Sequence, residues 1–341
     1  MRPFILGPFL SLVLFGSLAF VGCGESEGEA ASGGGGAGAA ASSSSSSGAT
    51  GGGSAGGGAG AVGGGGGAGG DPLVVNGFPD HWIDGTDCQN EPDVFTWAYA
   101  DDTFILRQSL CTHFEAPFIY VLLGESMAFV QDTGTGNADV HGAVMAVVEG
   151  WASDHGLASL PVLVTHSHSH GDHVGGDGAF QGDPDTTVVG TSLAAVESAF
   201  GFQSWPDDHV SLDLGGRTLD VLAIPGHQTA HVAVYDRRHQ LLLTGDTLYP
   251  GRLYINDWPA YRNSVARMVG FVDEGNPVTW VLGTHIELAQ SGQDYALGAP
   301  THPNEHPLEL GYPVLLELHQ ATQAMGSSPS YQAHDDFIIF P

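Results

Sequence analysis

The sequence contains no lysine; its eight basic residues are all arginine, set against 38 acidic ones for a formal charge of −30. A nucleic-acid surface needs clustered cations to displace counterions from phosphate, so an extended interface of that kind is excluded. The same scarcity leaves little with which to hold a polyanionic substrate, and the acidity reads as a property that keeps chains apart in solution. Cysteine is nearly absent, with only Cys23, Cys88 and Cys111. Between residues 24 and 70 large apolar side chains are missing as well. Gly, Ala and Ser fill the segment, with the runs Gly33–Gly36, Ser42–Ser47 and Gly63–Gly67. So little apolar side chain cannot offset the cost of ordering the backbone, and the segment is expected to stay disordered. The 52 glycines are therefore mostly a linker property. Residues 71–341 remain, enough for one large domain with its own core.

The chain begins MRPFILGPFLSLVLFGSLAFVGC, one Arg followed by an apolar run and small residues. Gly7, Pro8 and Gly16 interrupt the run, so residues 1–22 read as an export signal rather than a membrane span. Phe20-Val21-Gly22-Cys23 resembles the lipobox of bacterial lipoproteins, which implies acylation of Cys23 as the mature N-terminus. Residues 23–70 then act as a tether, with a root-mean-square reach of about 35–40 Å as a flexible coil. The membrane is engaged through this lipid only. Gly24 is not the aspartate that retains enterobacterial lipoproteins at the inner membrane, so the periplasm and outer membrane are the expected location. With Cys23 lipidated, Cys88 and Cys111 form an even pair in an oxidising compartment, either bridged or as two separate thiols.

Within the domain, 103–111 and 117–131 read as strands, the second stretch folding back at Gly124-Glu125-Ser126. Val140, Val144, Val147, Val148 and Trp151 carry helical spacing over 138–155. Residues 161–165 form a wholly apolar strand of the kind buried in a sheet centre. Further strands are expected at 186–190, 209–213, 217–224, 231–236, 240–244 and 278–283. Helices are expected at 191–200, 258–272 and 313–324. This alternation implies α/β layering, with sheets covered by helices.

The densest chemistry follows the apolar strand, in Thr165-His166-Ser167-His168-Ser169-His170-Gly171-Asp172-His173. Neutral imidazole and carboxylate are good ligands for zinc and related ions. On extended chain His168 and His170 point the same way and can grip one ion; Asp172 and His173, on the turn beyond, can reach another. Pro225-Gly226-His227, Thr244-Gly245-Asp246-Thr247 and Gly283-Thr284-His285 then close three later strands. In this order the residues resemble the metallo-β-lactamase superfamily: its HxHxDH motif stands at His168–His173, and Asp132 and Gly134 match the Asp-Thr-Gly closing the first hairpin. The resemblance spans roughly 103–287 and implies a four-layer αββα sandwich with its site along one edge of the sheets. It implies two divalent ions, zinc first with iron or manganese as alternatives. His168, His170 and His227 would hold one, Asp172, His173 and His285 the other, and Asp246 would bridge.

The implied reaction is attack by a bridging hydroxide on a small-molecule ester, lactone or thioester, with Asp172 and Asp246 as the catalytic carboxylates. Aspartate rather than cysteine at position 246 is similar to the glyoxalase II and lactonase branches. Arg252 and His231 are candidate substrate contacts, His231 and His166 also candidate supports for the ligands. His113, Glu115 and Tyr120 flank the first hairpin, as pocket border or as structure. The tail 288–341 reads as a loop and a closing helix. Two alternatives remain: a mononuclear iron oxidoreductase of the persulfide dioxygenase type, and a surface binding protein stabilised by metal without catalysis.

Overall fold

The computed structural model describes residues 75–341. The export signal, Cys23 and the linker of the sequence reading lie outside the described residues. The described chain runs β1 (Val94–Ala100), β2 (Thr103–Gln108), β3 (Phe118–Leu123), β4 (Ala128–Gln131), α1 (Val140–Asp154) and β5 (Val162–Thr165). The short helices α2 (Gly171–Val174) and α3 (Asp177–Phe180) precede β6 (Thr186–Val188) and α4 (Leu193–Phe200). Next come β7 (His209–Asp213), β8 (Thr218–Ala223), β9 (Val232–Asp236), β10 (Leu241–Gly245), β11 (Arg252–Tyr254), α5 (Trp258–Asp273) and β12 (Trp280–Gly283). The chain closes with β13 (Glu309–Leu310), α6 (Tyr312–Met325), β14 (Gln332–Ala333) and β15 (Ile338–Phe340).

Two six-stranded sheets, β1-β2-β3-β4-β5-β6 and β13-β12-β10-β9-β8-β7, pack face to face. Strand periodicity shows how the layers are filled. In β3, Phe118, Tyr120 and Leu122 enter the core between the sheets, while Ile119, Val121 and Leu123 pack on the opposite face under α1. In β9, Val232 and Val234 face that central core, while Ala233 and Tyr235 face α5 and α6. Strands buried on both faces must be apolar throughout, hence the unbroken runs of the sequence. The four layers are thus helix, sheet, sheet and helix, as expected from the sequence.

Local signals set the helix starts. Asp139 caps α1 by accepting from the Gly142 amide at 2.8 Å, and Asp257 caps α5 through the Ala260 amide at 3.0 Å. In α1, Val140, Val144, Val148 and Ala152 recur every four residues and form its buried stripe. The tail does more than close the fold. Its last strand pairs in parallel with β11, giving a small third sheet β11-β15-β14 that the sequence reading did not anticipate. Cys88 and Cys111 are joined by a disulfide with a Cα–Cα separation of 5.5 Å. Among the described residues no helix is long and apolar enough to cross a membrane.

Candidate metal centre

Loops that leave the strands at one end of the two sheets carry the candidate ligands. Strand β5 delivers His168, His170, Asp172 and His173; the loop after β8 delivers His227; the ends of β10 and β12 deliver Asp246 and His285. Two backbone features make the sharp exits. Asp132, just past β4, has φ +73°, a left-handed conformation that Asp tolerates better than most residues. From there its carboxylate accepts the Ser167 amide at 2.7 Å and the Ser167 hydroxyl at 2.9 Å, and lies 2.9 Å from His173 Nδ1. Gly245 has φ +52°, and a Cβ there would stand 2.5 Å from His231 Nε2 and 2.6 Å from Ser167 Cβ. Only glycine lets the chain turn Asp246 inward so closely over these side chains.

The donor atoms converge in two groups, His168, His170, His227 and Asp246 in one and Asp172, His173 and His285 in the other. In the first, His170 Nδ1 lies 2.9 Å from His168 Nε2 and 3.1 Å from His227 Nε2, and the latter two are 3.2 Å apart. Asp246 Oδ2 adds distances of 3.6 Å to His168 Nε2 and 3.5 Å to His227 Nε2. In the second, Asp172 Oδ2 is 3.2 Å from His173 Nε2 and 3.3 Å from His285 Nε2. Asp246 Oδ1 stands 3.6 Å from His173 Nε2 and 3.4 Å from His285 Nε2. The two oxygens of Asp246 thus address the two groups separately, the placement a bridging carboxylate requires.

These spacings fit divalent cations. Ligand bonds of about 2.0–2.1 Å in tetrahedral geometry put donor atoms roughly 3.3–3.4 Å apart. Imidazole nitrogens pressed together at this distance share at most one proton per pair, whereas a common cation satisfies them all. Nε2 of the fully buried His173 has no hydrogen-bond partner among the described residues, as suits a ligand atom. The opposite ring nitrogens are fixed by hydrogen bonds, which sets the tautomer. His227 Nδ1 donates to the Tyr254 carbonyl at 2.6 Å, and His285 Nδ1 to the Glu115 carbonyl at 2.9 Å. The Thr284 hydroxyl donates to Asp246 Oδ1.

Electrostatics separate the two groups. Burial, reinforced by His173, holds His168 well below the usual histidine range; burial and His227 lower His170. Burial alone would also lower His285, but Asp246 and Asp172 push it up to about 10. Burial would raise Asp246, yet His285, His173 and His168 hold its carboxyl well below the ordinary range.

The remaining candidates separate clearly. His231 is completely buried, its ring stacked on His168 at 4.8 Å, and neither ring nitrogen has a hydrogen-bond partner among the described residues. It therefore backs a ligand and does not face a pocket. His166 turns away to Asp177, at 2.8 Å. Tyr120 is buried in the central core and donates to the Gly283 carbonyl, a structural role. His113 accepts from the Glu115 amide and stacks on Phe114 in the loop before β3. Arg252 is a correction. Its guanidinium binds Glu287 at 3.0 Å, Asp294 at 3.0 Å and the Tyr295 carbonyl at 2.7 Å, and its Nε reaches Tyr254 Oη at 3.2 Å. Neighbouring carboxylates that sequence could not pair with it have claimed the charge expected to meet substrate. Sequence reasoning missed Thr284 and Ser167, although each adjoins a motif residue. The carbonyls of Tyr254 and Glu115 leave no mark in a sequence at all.

Comparison with known proteins places this centre in a family. Residues 118–278 match the family described as the metallo-beta-lactamase superfamily. A hydroxyacylglutathione hydrolase of Aeromonas hydrophila is 30% identical over 184 residues, 52% of this chain and 66% of the relative. An acyl-coenzyme A thioesterase of Gallus gallus is 25% identical over 218 residues, 53% of this chain and 76% of the relative. The chain thus spans slightly under two thirds of the first relative's length. The solved metallo-beta-lactamase from Pontibacter korlensis aligns with 67% of this chain and 99% of its own, at 16% identity and a TM-score of 0.46. The family match covers the strands that carry every candidate ligand but His285, and the relatives are named as hydrolases and a thioesterase: residues 118–278 of the chain belong to the metallo-beta-lactamase superfamily.

Proposed function

We propose that the protein is a dinuclear metallohydrolase that cleaves an ester, lactone or thioester, held to a bacterial membrane by lipidated Cys23. The observation that carries the reading is the division of Asp246 between two donor groups, its Oδ2 near His168 and His227 and its Oδ1 near His173 and His285. His168, His170 and His227 would hold one ion, Asp172, His173 and His285 the other, zinc being the first candidate. Bound there, the ions would supply a Lewis acid for the carbonyl oxygen and a water acidic near pH 7. The chain's own part is orientation and proton transfer. The Tyr254 and Glu115 carbonyls fix His227 and His285, and Thr284 fixes Asp246. Asp172 has a side chain 16% exposed, against 9% for Asp246, so it is the acid best placed to take a proton from water and pass it to a leaving group. Curated relatives named for hydroxyacylglutathione hydrolysis and acyl-coenzyme A thioester cleavage support an acyl substrate. The Cys88–Cys111 bridge supports an oxidising compartment.

The test is metal content of the full-length protein purified without added metal, beside turnover of an ester, a lactone and a thioester. About two ions per chain, with hydrolysis lost on chelation, is the expected result. One iron per chain favours the oxidoreductase, and metal without turnover favours the binding protein. Fatty-acid labelling that persists in Cys23→Ala would overturn Cys23 as the site of the lipid anchor.

A further inference from the structure

Metal ligands account for reaction at a carbonyl, but the remainder of a substrate must be met by the walls around them. Those walls are short of positive charge. The described residues contain seven arginines and no lysine. Arg107 pairs with Glu305, Arg217 with Asp236, Arg237 with Asp220, Arg238 with Asp102 and Arg267 with Asp207. Arg262 is spent on the Thr322 carbonyl and Gln323 in the α5–α6 contact. Arg252, beside the site, is held between Glu287 and Asp294. No described cation is left over to receive an anionic tail.

The negative charge is not so committed. Glu115 belongs to the loop between β2 and β3, and its carbonyl is the acceptor for His285, so the residue adjoins the second ligand group. Its side chain is half-buried, and its carboxylate makes no hydrogen bond or ion pair among the described residues, unlike Glu287 and Glu305. It lies within electrostatic reach of His285, Asp172, Glu287, Asp246 and Tyr254. Phe114, the preceding residue, is 39% exposed. A half-buried carboxylate without a partner among the described residues suits an ammonium group, through Coulomb attraction. Around the first ligand group two neutral amides take part, Gln228 against His170 and Asn256 on the His227 carbonyl.

We propose that Glu115 selects substrates whose group beyond the reacting carbonyl is cationic, an alkylammonium ester or thioester, over neutral and anionic equivalents. The inference rests on the hydrolase reading for the reaction but not for the recognition, and the two are tested separately. Recognition is read by binding to the metal-loaded full-length protein at low ionic strength, where Coulomb effects are least screened. The probes are two matched ketones that cannot be hydrolysed, 4-(trimethylammonio)butan-2-one and its uncharged isostere 5,5-dimethylhexan-2-one.

The cationic ketone is expected to bind about tenfold more tightly, a single-charge effect of ordinary size. Glu115→Gln should bring the ratio to near unity, with the neutral ketone unaffected. Glu149→Gln, an equal change of net charge at an exposed position of α1, should leave the ratio alone. Equal affinity for the two ketones overturns the proposal, as does a ratio that survives Glu115→Gln. The reaction is read with the acetyl thioesters of 2-(trimethylammonio)ethanethiol and 3-mercaptopropionate. The first should have the higher kcat/KM, and reversal of that order overturns the proposal. Absence of turnover on both, with the ketone ratio intact, removes the hydrolase reading and leaves the recognition standing.

Discussion

The same strands carry a buried polar cluster at each end, and the two are built on opposite terms. At the starts of β2, β8 and β10, Arg217 lies between Asp236 and Asp102. Its five N–H groups are all used, on Asp236, the Asp102 and Leu123 carbonyls and Thr103. Arg238 and His239 complete the shell around Asp102. At the other end, five histidines and two aspartates bring nitrogen and oxygen donors within a few ångströms of one another, with no arginine among them. One cluster carries its own cations and is satisfied by hydrogen bonds, so it can serve as structure. The other supplies donors in excess of any protein cation, and that excess marks a ligand set. Burial, polarity and density do not separate the two; internal neutralisation does.

The largest effect should come from the unbalanced end. His168→Ala and Asp246→Ala should each lose bound metal, with activity falling by more than the roughly 10–100-fold expected for an indirect partner of a ligand. Full metal occupancy in both variants would mean the ligand set is misplaced. At the balanced end, Arg217→Met should cost about 3–5 kcal/mol, because it strands buried Asp236 without its partner. Metal content per folded chain should not change, so urea titration and elemental analysis together tell the ends apart.

Thr284→Val removes only the hydroxyl that supports Asp246. It should lower metal affinity or activity by about 10–100-fold with unfolding unaltered; an unchanged affinity would make that hydrogen bond incidental. The smallest effect is a pH dependence. Burial would raise the Asp102 carboxyl, but the hydrogen bond from His239 and the charges of Arg217 and Arg238 hold it well below its ordinary 3.8. A depressed carboxyl contributes its stability above the unfolded value and loses it as pH falls through the folded one. The stability gap between wild type and Asp102→Asn should therefore be full near pH 6 and narrow below about pH 4. A gap that stays constant down to pH 2 would show that the ionised carboxylate is not what matters there.

The two ends were also unequally visible in the sequence. The ligands cluster in one motif and then recur just after strands, so local pattern and order reveal them. The residues around Arg217 come from separate strand ends and turns, at 102, 217 and 236–239, and only the packing of two sheets unites them. Arg252 was misjudged for the same reason, since Glu287 and Asp294 lie 35 and 42 positions along the chain. Strands buried on both faces were legible as apolar runs. β1, with its half-buried pattern, and the three-residue strands β11 and β15 were not, because half-buried or very short pairings depend on a neighbour rather than on their own composition.

The carbonyls of Glu115 and Tyr254 that steady His285 and His227 belong to the main chain, which every substitution leaves in place. Heritable change at these two positions can alter the side chains while the atoms that aim the ligands pass on unaltered. Variation in the side chains and persistence of the ligand geometry are thereby carried by different parts of the same residues, and a lineage is free to explore the first without gambling the second.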